Sequence, residues 1–449
     1  MRSNVRTLAL AALLGAVSVT TLAGATPRAA ARLSGSIQFM TWSAGPAWLP
    51  AYKKIATSFM TANPGTNVQV IVLPYGTWTT KFPLLAATHS TPDVFQQDTG
   101  FWKLYNTGVA ADLRPYIATD SLFNDPKQFY THAWVSVPSL RGQITAAPIG
   151  LSVMVLYYNR DLFAKSHLAE PGDTWTWDDL LKAALVLTLD NKGRNASDKN
   201  FDPTNIVQFG IDVNSLHAYW GYWTPIWENG GDLFNHNINP TKCTLTAPPA
   251  VKGLQFVADL TARYHVAPSS SQAKGLGGSS PFGSGRVAMS FDGDWSFSTY
   301  ETVKSFKWDV ALPPKGPLGR KNTFWATPFS IARDSKNPGL AWALIKYMAS
   351  DKVAQQQFAD LGAGIPVRVD VAKSAAFLHP SWAPPHYDAR LRALENARFG
   401  EPLFPGWSEV LNRYWTPTEQ KLWQGKLTAA QAAQQICRGT DAFLKTVKY

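Results

Sequence analysis

Between Ser36 and Phe95 the hydrophobic pattern switches repeatedly between short apolar runs and helical spacing, and this alternation constrains the fold more than any other feature. Ser36 to Trp42 is an apolar run that opens into Ser, Gly and Pro, the pattern of a buried strand entering a loop. From Trp48 to Ala62 the spacing is helical, with Leu49, Tyr52, Ile55, Phe59 and Ala62 on one face, and Asn63-Pro64-Gly65 ends it. Val68 to Val72 predicts a second strand, Trp78 to Ala87 a second helix, and Pro92 to Phe95 a third strand. Such a series predicts an α/β lobe with a mostly parallel sheet.

Downstream, Pro148 to Asn159 predicts a long strand. Thr176 is placed to cap a helix running to about Leu187, with Asp179 as the carboxylate of a capping box. Pro248 to Tyr264 and Asn337 to Phe358 predict helices, and Arg286 to Phe291 a strand. Polar loops are expected over Asp190 to Asn205 and Ser269 to Gly285, and helices after the Pro-rich turns near Pro384 and Pro402. No internal repeat is visible.

A chain of 449 residues has room for two or three domains, and its 45% hydrophobic and 16% charged content excludes a disordered chain and a fibrous rod. The net charge is +11, but the basic residues are scattered and no Lys/Arg run lies beside interleaved aromatics, so no nucleic-acid partner is expected. Residues 1–25 read as a secretory signal: Arg2 and Arg6, then an apolar Leu8 to Val19, then Ala23-Gly24-Ala25 as a cleavage site. An uncleaved N-terminal anchor is the alternative. Leu22-Ala23-Gly24 begins like a lipobox, but Ala25 stands where the lipid-bearing Cys would be. An exported protein is expected.

Catalytic signatures are missing from the sequence. There is no Gly-x-Ser-x-Gly, no His-Glu-x-x-His and no Cys-x-x-Cys, and the 8 His stand apart. No metal site, no cofactor and no catalytic residue are expected. The one local carboxylate pair, Asp292 and Asp294, reads as a glycosidase pair, as acceptors for sugar hydroxyls, or as a loop cap. The 18 Trp are more informative. Trp42 follows the first strand, Tyr75 and Trp78 the second, and Phe101 and Trp102 stand after Asp98. Trp220, Tyr222, Trp223 and Trp227 cluster, while Trp295, Trp325, Phe329 and Trp407 lie further on. Several fall at strand ends, where open α/β sheets bind ligands, and sugar C–H faces stack on such rings.

Five stretches carry a resemblance. They are Pro92 to Phe95 with Gly108 to Leu113; Gly142 to Asp161 with Thr174 to Asp179; Asn229 to Asp232; Phe282 to Met289 with Gly293 to Trp295; and Gly364 to Arg368. In order and spacing the chain resembles the extracellular solute-binding proteins of sugar ABC transporters, the family of maltose- and maltodextrin-binding proteins, from about Ser36 onward. The resemblance implies a two-lobed periplasmic-binding-protein type II fold closing on a carbohydrate at a hinge, an ABC permease as partner, and a monomer in the periplasm or at the extracellular face. It places lobe one at 36–147 plus 330–372 and lobe two at 148–329 plus 373–449. It puts Trp42, Ser43, Trp78, Gln96, Asp98 and Trp102 at the ligand from the first lobe. Ser152 stands where some sugar binders carry a carboxylate. Trp220, Trp223, Asp294, Trp295, Phe329 and Trp407 complete the expected set, and Arg368 reads either as a contact or as a structural residue. Both cysteines, Cys243 and Cys437, then fall in lobe two, where a disulfide between them is expected; two buried thiols are the alternative. The rival functions are a glycoside hydrolase, or the same fold binding another solute such as glycerol 3-phosphate.

Overall fold

The structure is a computed structural model that describes residues 32–43, 45–98, 108–125, 127–130, 143–277, 280–362 and 364–448. The signal expected over 1–25 and the candidate Trp102 lie outside the described residues. The strands are β1 (Gly35–Ser43), β2 (Thr66–Pro74), β3 (Val94–Gln96), β4 (Ala147–Asn159), β5 (Leu189–Asp190), β6 (Ile206–Gln208), β7 (Met289–Gly293), β8 (Trp308–Ala311), β9 (Asn322–Ile331), β10 (Ile365–Pro366) and β11 (Ala397–Phe399). The principal helices are α1 (Trp48–Ala62), α2 (Tyr75–Ala87), α3 (Trp177–Leu187), α4 (Tyr219–Glu228), α5 (Pro248–Ala262), α6 (Pro338–Ser350), α7 (Lys352–Asp360) and α8 (Ala429–Leu444).

Nine strands share one sheet, in the order β10-β4-β9-β3-β1-β2, with β11 added to β9 and with β7 and β8 added to β4. The pairing is mixed rather than mostly parallel. β1 runs parallel to β2 and β3, as the strand–helix alternation requires. The long strands reverse this: β9 is antiparallel to β3 and β4, and β4 is antiparallel to β7, β8 and β10. Hydrophobic period alone does not distinguish the two directions when a strand is buried on both faces.

β4 joins the two halves of the molecule. All thirteen of its residues are buried. Because side chains alternate across a strand, Val153, Val155 and Tyr157 enter one large core while Met154, Leu156 and Tyr158 enter the other. Its first half pairs with β9 through Ala147↔Phe329 and Ser152↔Trp325, and its second half with β7 through Leu156↔Phe291. The first core takes α1, α6 and α7; the second takes α3, α4, α5 and α8.

Local chemistry explains the element ends. Thr176 and Asp179 form a reciprocal capping box on α3. The segment expected as one helix from Asn337 to Phe358 is two, because the Asp351 side chain accepts from the Val353 and Ala354 amides and starts α7 afresh. The strand expected at Arg286 begins only at Met289. Cys243 and Cys437 are joined as a disulfide, with Cα atoms 5.2 Å apart, which ties α8 to the segment before α5. Among the described residues no helix is long and apolar enough to cross a membrane.

Candidate functional site

Strand ends and helix starts from both cores converge on a cavity of about 510 Å³, larger than the other cavities described, which reach 400 Å³. This size suits a small organic ligand. From the first half come Trp42 and Ser43 at the end of β1, Trp48 at the start of α1, Tyr75 at the start of α2, and Gln96, Gln97 and Asp98 at the end of β3. From the other side come Ser152 of β4, Tyr219 and Trp220 at the start of α4, and Trp295 just after β7. β9 contributes Trp325 to Pro328, and β11 leads to Phe399 and Glu401.

The aromatic walls are held by neighbouring rings. Trp42 meets Tyr75 at 5.7 Å, and Trp295 meets Trp325 edge-on at 5.6 Å. Trp295 folds back over the chain: a Cβ added to Gly293 would lie 2.2 Å from its indole, so only glycine leaves room for the ring in this position.

The polar groups are fixed as well. Gln96 accepts from the Thr41 hydroxyl, and Gln97 donates to the Thr145 carbonyl and hydroxyl at 3.2 and 3.1 Å. Tyr75 donates its hydroxyl to Asp98 at 2.9 Å, and Tyr219 donates to Glu401 at 2.5 Å. Burial, reinforced by the negative charge of Asp98, pushes the Glu401 carboxyl up to about 8, against which the Tyr219 bond works. Burial and Glu401 together raise the Tyr219 hydroxyl well above its ordinary range.

Of the residues expected at the ligand, Trp42, Ser43, Gln96, Asp98, Ser152, Trp220 and Trp295 line this cavity together. The others do not. Trp78 is fully buried in a small core, stacked on Phe82 at 4.9 Å and backing Trp42 at 4.6 Å. Trp223 lies in the second core with its indole N–H on Asp232 at 3.2 Å. Trp407 is buried behind Tyr219, with centroids 5.2 Å apart and rings near perpendicular. Phe329 packs on Phe39 in the first core at 5.2 Å. Arg368 is committed to Asp370 at 2.8 Å and to the Ser350 carbonyl at 2.6 Å. Asp294 is sealed beneath the cavity by Arg390, so it is not offered to a ligand. Asp292 is likewise engaged, accepting from the Ser215 and Ser296 hydroxyls at 2.6 Å.

Tyr219, Glu401, Gln97, Thr327, Trp48 and Phe399 also line the cavity and are not apparent as ligand residues from the sequence, which marks Tyr75 and Trp325 only as aromatics. Glu401 has one signal in the sequence: an acid set between Gly400 and Pro402. Tyr219 has another, as the first aromatic of the Tyr219, Trp220, Trp223, Trp227 helical series.

The family model described as bacterial extracellular solute-binding protein matches residues 45–355. A Brucella abortus (strain 2308) protein with a provisional binding-protein name is 24% identical over 403 residues, covering 88% of this chain and 90% of its own. Among solved structures, the Listeria monocytogenes ABC substrate-binding protein in complex with cycloalternan aligns with a TM-score of 0.79 at 23% identity, covering 92% of this chain and 99% of that one. The GacH receptor of Streptomyces glaucescens, solved unliganded and with acarbose, aligns at 0.74 with 21% identity, covering 93% and 100%. The chain shares their two-lobed α/β fold, and by the match over residues 45–355 it belongs to the bacterial extracellular solute-binding protein family.

Proposed function

We propose that this protein is the exported substrate-binding component of an ABC transporter, that it captures a carbohydrate without chemical change, and that it delivers the sugar to a membrane permease. The observation that carries this is the cavity itself: Trp42, Tyr75, Trp220, Trp295 and Trp325 offer flat faces, with Gln96, Asp98, Ser152 and Glu401 between them. Aromatic faces suit the C–H faces of a pyranose, and amides, hydroxyls and carboxyls suit its hydroxyl groups. The solved relatives described with cycloalternan and acarbose support the same class of ligand.

The proposed mechanism is closure. Lobe one is residues 36–147 with 330–372, lobe two is 148–329 with 373–449, and the protein works as a monomer. A ligand touching both lobes stabilises the closed state in proportion to its extra contacts there, and the permease reads that state. Glycerol 3-phosphate fits less well, since among the described residues no Lys or Arg lines the cavity and two carboxyl groups do.

A thermal-shift screen against neutral sugars of one to four residues tests the reading. A ligand at 100 times its Kd adds about 2.7 kcal/mol of stability. A sugar that raises Tm and is recovered intact supports a receptor. Hydrolysed products, or no shift with any sugar, would overturn it.

A further inference from the structure

The two neighbouring carboxylates after β7 bond in different directions. Asp294 pairs with Arg390 beneath the cavity, whereas Asp292, near the end of β7, joins two separate stretches of chain. One oxygen of Asp292 accepts from the Ser215 hydroxyl at 2.6 Å and from the Gly293 amide at 2.8 Å; the other accepts from the Ser296 hydroxyl at 2.6 Å. Ser296 directly follows Trp295. Ser215 lies 77 positions from Asp292, in the segment that leads into α4. Its carbonyl accepts from the Ala218 amide at 3.1 Å, and a Cβ added to Gly221 would stand 2.0 Å from that carbonyl oxygen. The first turn of α4, which carries Trp220, therefore rests directly on Ser215. Trp220 and Trp295 are both half-buried rings packed against the second core, and both line the cavity, while Asp292 does not. Tyr157 and Ser298 secure the turn after β7 through the Gly293 and Trp295 carbonyls, at 2.9 and 2.8 Å. Asp292 ties that turn to the segment under Trp220.

We propose that Asp292 is a positioning residue for ligand capture: by bonds made entirely within the chain it holds the Trp220 and Trp295 faces in one fixed relation, and so sets sugar affinity without touching the sugar. The inference rests on the carbohydrate reading above. Stacking is short-ranged: a gap of roughly 0.5–1 Å forfeits a quarter to a half of a van der Waals contact. A drift of either segment therefore weakens the contact its ring makes. Rings already held in place also lose little freedom when a ligand stacks on them. The work belongs to the hydrogen bonds rather than to the charge. A serine hydroxyl both donates and accepts, so an amide at position 292 keeps both links: its oxygen accepts from Ser215 and the Gly293 amide, and its nitrogen donates to Ser296. A methyl group there keeps neither.

The test uses the neutral mono- to tetrasaccharide that binds wild type most tightly, titrated by calorimetry into wild type, Asp292→Ala, Asp292→Asn, Ser215→Ala and Ser296→Ala. Asp292→Ala should bind it about tenfold more weakly. Each serine variant should lose a smaller factor, and Asp292→Asn should bind as wild type does. The Ser296→Ala loss should disappear in a Trp295→Ala background, and the Ser215→Ala loss in a Trp220→Ala background, because each serine acts through one ring. A general loosening of the fold would persist in both backgrounds. Melting curves without ligand check that each variant folds, and if Asp292→Ala does not, the two serine variants carry the comparison. Wild-type affinity in folded Asp292→Ala or in both serine variants, Asp292→Asn as weak as Asp292→Ala, or losses that persist once the ring is gone would overturn the positioning role while leaving the sugar reading standing. Failure of wild type to bind any of these sugars would remove both.

Discussion

Arg390 places two guanidinium nitrogens on one carboxylate oxygen of Asp294, at 2.7 and 3.1 Å, with both side chains fully buried. The other carboxylate oxygen accepts from the Val153 amide at 3.3 Å, and the Ser152 side chain also bonds this carboxylate. Asp294 immediately precedes Trp295, so the ion pair anchors two residues of the cavity floor from beneath. The Arg390 guanidinium lies 5.0–5.1 Å from the ring centroids of Phe297, Phe377 and Tyr387. Removing one partner of such a pair strands a buried charge. Arg390→Met is expected to destabilise the protein by ~3–5 kcal/mol, and Arg390→Met with Asp294→Leu by clearly less. Denaturant unfolding of the single and double variants decides; equal losses in both would show that the stranded carboxylate is not the cause.

Trp295 and Trp407 separate the two aromatic layers. Trp295 lines the cavity, whereas Trp407 stands behind Tyr219 with 2% exposure. Trp295→Ala should weaken sugar binding by about 1–3 kcal/mol with little change in Tm. Trp407→Ala should instead lower stability by roughly 3–5 kcal/mol through the void it leaves. Calorimetric titration and thermal melting on both variants give the two readings, and a reversal of the two effects would invert the assignment of layers.

The sequence exposes what is local and hides what depends on distant partners. The cap of α3 was legible because Thr176 and Asp179 satisfy each other three residues apart. β4 was legible because a fully buried strand reads as a continuous apolar run. The break between α6 and α7 was not, because helical spacing continues across Asp351 and only its cap geometry marks the stop. The candidate site was half legible for a similar reason. Nearness of Trp to loop residues finds the region of the cavity. It does not tell Trp42 from Trp78 behind it, since that depends on which ring packs deeper. Glu401 acquires its role from Tyr219, 182 positions away, and no window of sequence contains both.

The disulfide makes a chemical prediction. Cys243 and Cys437 are 194 positions apart, and the bond fastens α8 against the second core. Thiol labelling of the denatured, unreduced protein should find no reactive cysteine, with two appearing after reduction. On the loop-entropy model, closing so long a loop stabilises by at most about 5 kcal/mol, so the reduced protein should unfold at lower denaturant concentration. Two labelled cysteines before reduction would rule the bond out.

Glu401 ties stability to pH with a definite sign. Its carboxyl is pushed from an ordinary 4.5 up to about 8, by burial first and by Asp98 second. Between those values the unfolded chain has lost the proton that the native protein keeps, so unfolding releases a proton. Stability from this group is fully present below about 4.5, declines as pH rises, and is lost once pH passes about 8. Glu228, raised to about 8, and Glu419 and Asp212, raised to about 7, have the same sign. His217, lowered by burial to about 3, has the opposite one, since its unfolded form gains a proton as pH falls below 6.5. The comparison that isolates Glu401 is therefore between wild type and Glu401→Gln at each pH. The amide keeps an acceptor for Tyr219 and cannot ionise, so Tm of the variant should fall less steeply than that of wild type between pH 5 and 8. Parallel curves across that window would mean that Glu401 ionises in the native protein as it does in the unfolded chain.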